Sequence, residues 1–230
     1  MEEAMIGWSA TSWSSGSGIP AIRGAFTVTA VLRAWGESIL SCDAATYRHC
    51  ERTGIYAVAI ARELGLPASE VESIQLGARL HDIGKVRIPD AILHKEGRLS
   101  SAEYAVVKMH PIWGLEMLDS LACPSAVRAI VRSHHEKRDG SGYPDRLRGE
   151  EIPLAAAIIG IADVYDALTT CRCYRPALPR RRALLEMQLR QGWWSPEAYA
   201  AFGRALGHHA GSRRGGREYR LRIRESGALA

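Results

Sequence analysis

Long apolar runs are absent from this chain of 230 residues. The longest, Ile152 to Ala162, has Pro153 inside it and falls short of the about 20 residues a bilayer-spanning helix needs, so it is expected in a core and no membrane association is expected. Cysteine is scarce: Cys42, Cys50, Cys123, Cys171 and Cys173 are odd in number and lack paired zinc-ligand spacing. That argues against a disulfide framework and for a reducing compartment, the cytoplasm by default. A secretion signal is not expected either, because Glu2, Glu3 and the Ser/Gly stretch Ser12 to Gly18 replace the basic start and continuous apolar segment. Apolar–polar alternation over strand lengths is missing, as is any repeat, which leaves an all-α class. No recognisable DNA- or RNA-binding motif is present. The formal net charge of +5 is largely local to Arg204, Arg213, Arg214, Arg217, Arg220, Arg222 and Arg224, a solvated basic tail rather than a nucleic-acid surface.

The length suits one sizeable core. Residues 1–24 read as a poorly ordered leader too short to fold alone, residues 25–206 as a helical domain and residues 207–230 as the basic tail. Val31, Leu32, Trp35 and Ile39 recur at helical spacing, and Ile55, Val58, Ala59 and Arg62 continue it until Gly65 supplies a stop. Ser69 with Glu72 predicts a capping box opening a helix whose inward stripe runs Val71, Ile74, Ala78 and His81, with Gly84 expected to end it. Ser100 with Glu103 predicts a second box on the segment that delivers His110 to a helix end, with a break or restart at Pro111. Pro124 starts a helix whose Val127, Ile130 and Val131 point the same way as His134, and the glycines of Asp139 to Pro144 demand a loop. From Leu154 to Thr170, Ile159, Asp163, Asp166 and Thr170 share one helix face.

Five of the eight histidines, His49, His81, His110, His134 and His135, form with Asp82 and Asp163 a set suited to holding two metals, and His81 and His134 fall on helix faces that should be buried. A lone histidine there is ordinarily a hydrogen-bonded core residue. Burying so many ionisable groups without partners would cost several kcal/mol each, and metal ions supply the missing partner. On a continuous helix His81 and Asp82 would point about 100° apart, so the imidazole can bind one metal while the carboxylate bridges two. Paired metals about 3.5–4 Å apart ionise a shared water and polarise a phosphoryl oxygen, the requirements of attack on a phosphodiester. Lys85, expected one turn beyond His81, can touch the phosphate or protonate the leaving oxygen.

Taken in order, His81-Asp82-Ile83-Gly84-Lys85, His110-Pro111, His134-His135-Glu136, Asp139-Gly140-Ser141-Gly142-Tyr143-Pro144 and Ile161-Ala162-Asp163-Val164-Tyr165-Asp166-Ala167-Leu168-Thr169-Thr170 resemble the HD-GYP domain, from about Ala34 to Leu206. The resemblance implies an all-α HD-superfamily helical bundle with a two-metal site in its core. It also implies hydrolysis of the bacterial second messenger cyclic di-GMP to pGpG and often onward to GMP. Carried over, His49, His81, Asp82 and Asp163 would hold one divalent metal and Asp82, His110, His134 and His135 the other, iron or manganese in both cases. Lys85 and Asp82 would be catalytic. On the substrate side would stand Lys85, Tyr143 in the Gly142-Tyr143-Pro144 turn, Asp166 as a support, and Arg172 and Arg175 as guanine or phosphate contacts. Departures from the family pattern are Cys173 for a proline, Arg48 and Cys50 around the first ligand, Ala45 where a third metal would need glutamate, Ala157, and Trp193-Trp194-Ser195-Pro196 near the domain's end. Two readings stay beside the enzyme: a non-catalytic cyclic di-GMP sensor docking other signalling proteins through its GYP face, and a hydrolase of another cyclic dinucleotide. A homodimer stays open.

Overall fold

The computed structural model describes residues 44–119, 123–171 and 176–211. The helix expected through Val31, Leu32, Trp35 and Ile39, the leader, and Arg172, Cys173 and Arg175 lie outside them. The described residues contain no strand, only an isolated antiparallel bridge between Asp139 and Arg148. None of their helices is long and apolar enough to cross a membrane.

Helix α1 (Ala44–Glu63) buries His49, Cys50, Thr53, Gly54, Ala57, Ile60 and Ala61. The helix expected from the spacing of Ile55, Val58, Ala59 and Arg62 is present, but these residues do not form its inner face, and Ile55 is 59% exposed. Small residues carry the true inner stripe, because they let the next helix approach: a Cβ added at Gly54 would lie 3.6 Å from that of Ala78. Gly65 stops the helix as expected. It sits at φ 71°, while the Leu66 amide donates to the Ala61 carbonyl and the Gly65 amide to that of Arg62, the paired bonds of a Schellman end.

Helix α2 (Ala68–Leu80) corrects two expectations. Pro67 occupies the N-cap, and no side-chain capping bond forms; Ser69 lies inside the first turn, its carbonyl accepting the Ser73 hydroxyl. A proline there fixes φ and lacks an N–H to satisfy, so it supplants the serine as the starting signal. At its other end the helix stops at Leu80, with His81 as C-cap, rather than running to Gly84. Asp82 leaves helical geometry at φ −99°, ψ 7° and leads into a 3-10 turn, Ile83–Arg87. His81 and Asp82 thus occupy a helix-end turn and are not successive positions of one helix.

Helices α3 (Asp90–Leu93), α4 (Ser101–Val107) and α5 (His110–Asp119) follow. The Ser100–Glu103 capping box forms in both directions, and α5 restarts at His110 with Pro111 in its first turn, where a missing amide costs nothing. Helix α6 (Ser125–Ser133) buries Val127, Ile130 and Val131 as expected. A long connection leads to α7 (Leu154–Thr169), then α8 (Arg180–Gln188) and α9 (Pro196–Gly211); α9 thus runs past the expected start of the tail at 207.

Helix α7 is the pivot of the bundle, packed on α1, α2, α6, α8 and α9. Its apolar segment is core as expected, with Ile158, Ile159 and Ile161 fully buried among Ile60, Ile74, Ile130, Met187 and Phe202. A second cluster of Cys50, Leu80, Ile83, Leu118, Val127 and Val131 ties the 3-10 turn and α5 to α1 and α6.

Candidate metal centre

Most of the expected ligands sit at helix ends. His81 caps α2, His110 opens α5 directly after α4, and His134 caps α6 with His135 beside it. Helix ends leave carbonyls without intrahelical partners, and these imidazoles satisfy them. The Nδ1 of His81 lies 2.8 Å from the Ala78 carbonyl, that of His110 2.8 Å from Val107 and that of His134 3.0 Å from Val131. A carbonyl only accepts, so each Nδ1 carries the proton and Nε2 is the atom left facing inward. His49, on α1, reaches the same state by another route: its Nδ1 lies 2.7 Å from Asp166 Oδ2.

The inward-facing atoms converge. Donor atoms of Asp82, His110, His134 and His135 lie within 4.8 Å of one another, as do those of His49, His81 and Asp163. All seven residues singled out in the sequence are thus brought together, in two adjoining groups. Asp82 stands between them: Oδ2 is 3.3 Å from His81 Nε2, and Oδ1 is 3.4 Å from His110 Nε2 and 4.0 Å from His134 Nε2. In the second group His49 Nε2 lies 3.0 Å from Asp163 Oδ1, and His135 Nδ1 of the first group approaches Asp163 Oδ2 at 3.9 Å. Cys50, also fully buried, forms a further group with His81 and Asp82.

Two features fit this donor set to cations. His81 Nε2 and Asp82 Oδ1 are buried with no hydrogen-bond partner, which is costly unless something else compensates them. His110 and His134 also present Nε2 to Nε2 at 3.2 Å, an approach of two lone pairs that a positive ion between or beside them relieves. Imidazole with carboxylate is the chemistry of a catalytic divalent centre.

The local electrostatics agree. Burial pushes the His110 imidazole down to about 4 against the pull of Asp82, and burial with neighbouring imidazoles holds His134 and His135 well below their usual range. These three are neutral, ligand-ready groups at neutral pH. Burial opposes charge on Asp82 and Asp163 too, but it is outweighed: His81 and Lys85 hold Asp82, and His49 holds Asp163, well below the carboxylate range. Against burial, the same carboxylates raise His81 and, with Asp166, His49.

Lys85 lies on the 3-10 turn, not one α-turn beyond His81 as expected. Its ammonium donates to Asp82 Oδ2 at 2.6 Å, and Asp82 raises it despite burial. Asp166 corrects its placement on the substrate side. The carboxylate is 1% exposed, and besides His49 it takes Arg52 at 2.6 and 3.0 Å and the Thr170 hydroxyl at 3.3 Å. It orients His49, and Arg52 neutralises it.

The Gly142-Tyr143-Pro144 turn, with a cis Tyr143–Pro144 bond, leans on the ligand strip. A Cβ added at Gly142 would come within 2.4–2.6 Å of the backbone of His135, Glu136 and Lys137, and the Tyr143 ring packs on His135 with centroids 4.7 Å apart. Sequence reasoning missed Glu136. Its buried carboxylate accepts the amides of Asp145 at 2.7 Å and of Arg146 and Leu147 at 3.1 Å each. The available signal was an acid fixed beside paired histidines and ahead of a glycine-rich turn, whose amides need acceptors.

Residues 37–197 match the HD domain family. The 3'3'-cGAMP-specific phosphodiesterase 2 of Vibrio cholerae is 40% identical over 149 residues, 64% of this chain and 28% of that protein. A cyclic di-GMP phosphodiesterase of Thermotoga maritima is 40% identical over 163 residues, 70% of this chain and 44% of that protein. The chain therefore spans less than half the length of these relatives. Among solved structures, an HDG"Y"P protein from Bdellovibrio bacteriovorus aligns at a TM-score of 0.61 and 21% identity, covering 78% of this chain and 63% of that one, a likeness of fold.

Proposed function

We propose, since the chain belongs to the HD domain family, that it is a metal-dependent phosphodiesterase hydrolysing cyclic di-GMP to pGpG, GMP or both. The observation that carries this is the pair of adjoining donor groups meeting at Asp82, beside the Lys85 ammonium. His49, His81, Asp82 and Asp163 would hold one divalent ion, and Asp82, His110, His134 and His135 the other, iron or manganese. Ions bound there would supply an activated water and polarise a phosphoryl oxygen. The remaining work belongs to the chain. Asp82 holds Lys85 at the pocket edge; an arriving phosphate competes for that ammonium, which then stabilises the developing negative charge or protonates the leaving oxygen. Tyr143 walls the ligand beside His135, Asp166 and Arg52 fix His49, and Arg172 and Arg175 contact guanine or phosphate.

Cys50 and Cys123, neither in a disulfide, support a reducing, cytoplasmic setting. The intact ligand set supports catalysis over a silent sensor that docks other proteins through its GYP face. The 3'3'-cGAMP specificity named for one relative favours a second reading with the same chemistry, another cyclic dinucleotide as substrate. One experiment tests all of this: anaerobic purification with elemental analysis, then product chromatography after incubation with cyclic di-GMP and 3'3'-cGAMP side by side. Two equivalents of metal and appearance of pGpG are expected. Metal-loaded protein that binds cyclic di-GMP without cleaving it supports the sensor instead.

A further inference from the structure

Glu136 belongs to neither donor group, yet it is 5% exposed and follows directly on His135. Both its oxygens are committed to the far limb of the adjoining loop: Oε1 accepts the amides of Asp145 and Arg146, and Oε2 that of Leu147. Three successive amides converging on one anion form a nest. Arg146 adopts φ 57° within it, a left-handed conformation a non-glycine residue keeps only when its surroundings enforce it. The near limb is seated against the same strip, where Gly142 presses on the His135–Lys137 backbone and the Tyr143 amide donates to the His135 carbonyl at 3.4 Å. The far limb is also tied by the Arg132–Asp145 ion pair, a two-bonded fork at 2.7 and 2.8 Å that is about one-third exposed; Glu136 differs in being buried and in holding three backbone amides at once.

We propose that Glu136 is a positioning residue for the reaction: its buried carboxylate locks the 139–147 loop so that Tyr143 stays packed on His135 beside the metal pocket, and substrate affinity depends on that lock. The proposal rests on the phosphodiesterase reading for its last clause only. Glutamine is nearly isosteric but offers one acceptor oxygen and sets an N–H against an amide N–H, so Glu136→Gln weakens the nest and Glu136→Ala abolishes it.

The test uses the full chain, metal-loaded, with both variants. Metal content and helical circular dichroism are expected to match wild type, and hydrogen exchange at the 145–147 amides to rise about tenfold or more in Glu136→Ala. KM for cyclic di-GMP is expected to rise about tenfold in Glu136→Ala and less in Glu136→Gln, with kcat within a few-fold of wild type, the pattern of lost positioning in binding. Unchanged exchange overturns the lock. Faster exchange or a lower melting temperature with unchanged KM overturns its role and leaves Glu136 a fold-stabilising acid. If Glu136→Ala does not fold, the near-isosteric Glu136→Gln carries the same readouts. If wild type cleaves no cyclic dinucleotide, the phosphodiesterase reading fails separately, and exchange at the three amides alone decides the lock.

Discussion

His110 and His134 present Nε2 to Nε2 at 3.2 Å while each Nδ1 is already spent on a backbone carbonyl. Neither ring can turn to relieve the approach without abandoning a helix-end carbonyl, and a bound cation would relieve it without moving either ring. Metal and fold are therefore coupled, and removing one should be felt in the other.

Chelation should lower stability reversibly. An ion present at a thousand times its dissociation constant adds about 4 kcal/mol, so thermal melts with and without chelator should separate by several degrees and coincide again on adding manganese. Superimposable melts from protein shown to carry metal would remove the coupling.

Asp82 and Lys85 should separate metal binding from rate. Asp82→Ala is expected to lose metal by elemental analysis and all turnover. Lys85→Ala is expected to keep its metal and lose about a hundredfold or more in kcat, the scale of removing one charge-stabilising donor. A Lys85→Ala enzyme turning over at the wild-type rate would take away the role given to that ammonium.

The Asp166 carboxylate, 2.7 Å from His49 Nδ1, predicts an effect at one remove. Asp166→Asn should weaken metal binding about 10–100-fold, as loss of a partner that orients a ligating imidazole does, and the deficit should appear as a lowered metal-to-protein ratio on dialysis. Full occupancy in the variant would make the contact purely structural.

His110 predicts the acid behaviour of the metal-free protein. Burial brings its folded value down to about 4 from an ordinary 6.5. Between those values the unfolded chain binds a proton the folded chain refuses, so stability falls as pH drops from about 6.5 towards 4. His110 alone contributes about 2 kcal/mol of that loss at pH 5. His49 and His81, raised by their carboxylates, act in the opposite sense, so the comparison has to be differential: urea midpoints at pH 7 and pH 5 should lie closer together in His110→Gln than in wild type. An unchanged gap would mean that the ring is already protonated in the folded state.

Much of the centre was legible because its residue types are unusual for their positions. His81 and His134 continue helix stripes otherwise written in isoleucine, valine and alanine, Asp163 shares a face with a second acid, Asp166, and no apolar core asks for them. What escaped was whatever depends on approach or on distant partners. The inner face of α1 is marked by Gly54, Ala57 and Ala61, whose smallness is the signal, and a search for bulk chooses Ile55 instead. The Ser69–Glu72 pattern was outcompeted by Pro67, one residue before α2 begins. Arg52 and Asp166 are separated by 114 positions, so no local spacing pairs them, and Glu136 acts on amides, which one-letter codes do not display.

Gly84 was read as a full stop and is instead a contact point: a Cβ there would sit 2.0 Å from the His110 carbonyl oxygen. Main chain rests on main chain at that spot, with no side chain interposed. The gap between the Asp82 half of the pocket and the His110 half is consequently set where two backbones touch, and exchanges among the surrounding apolar residues can alter packing and stability while leaving that point of contact as it was.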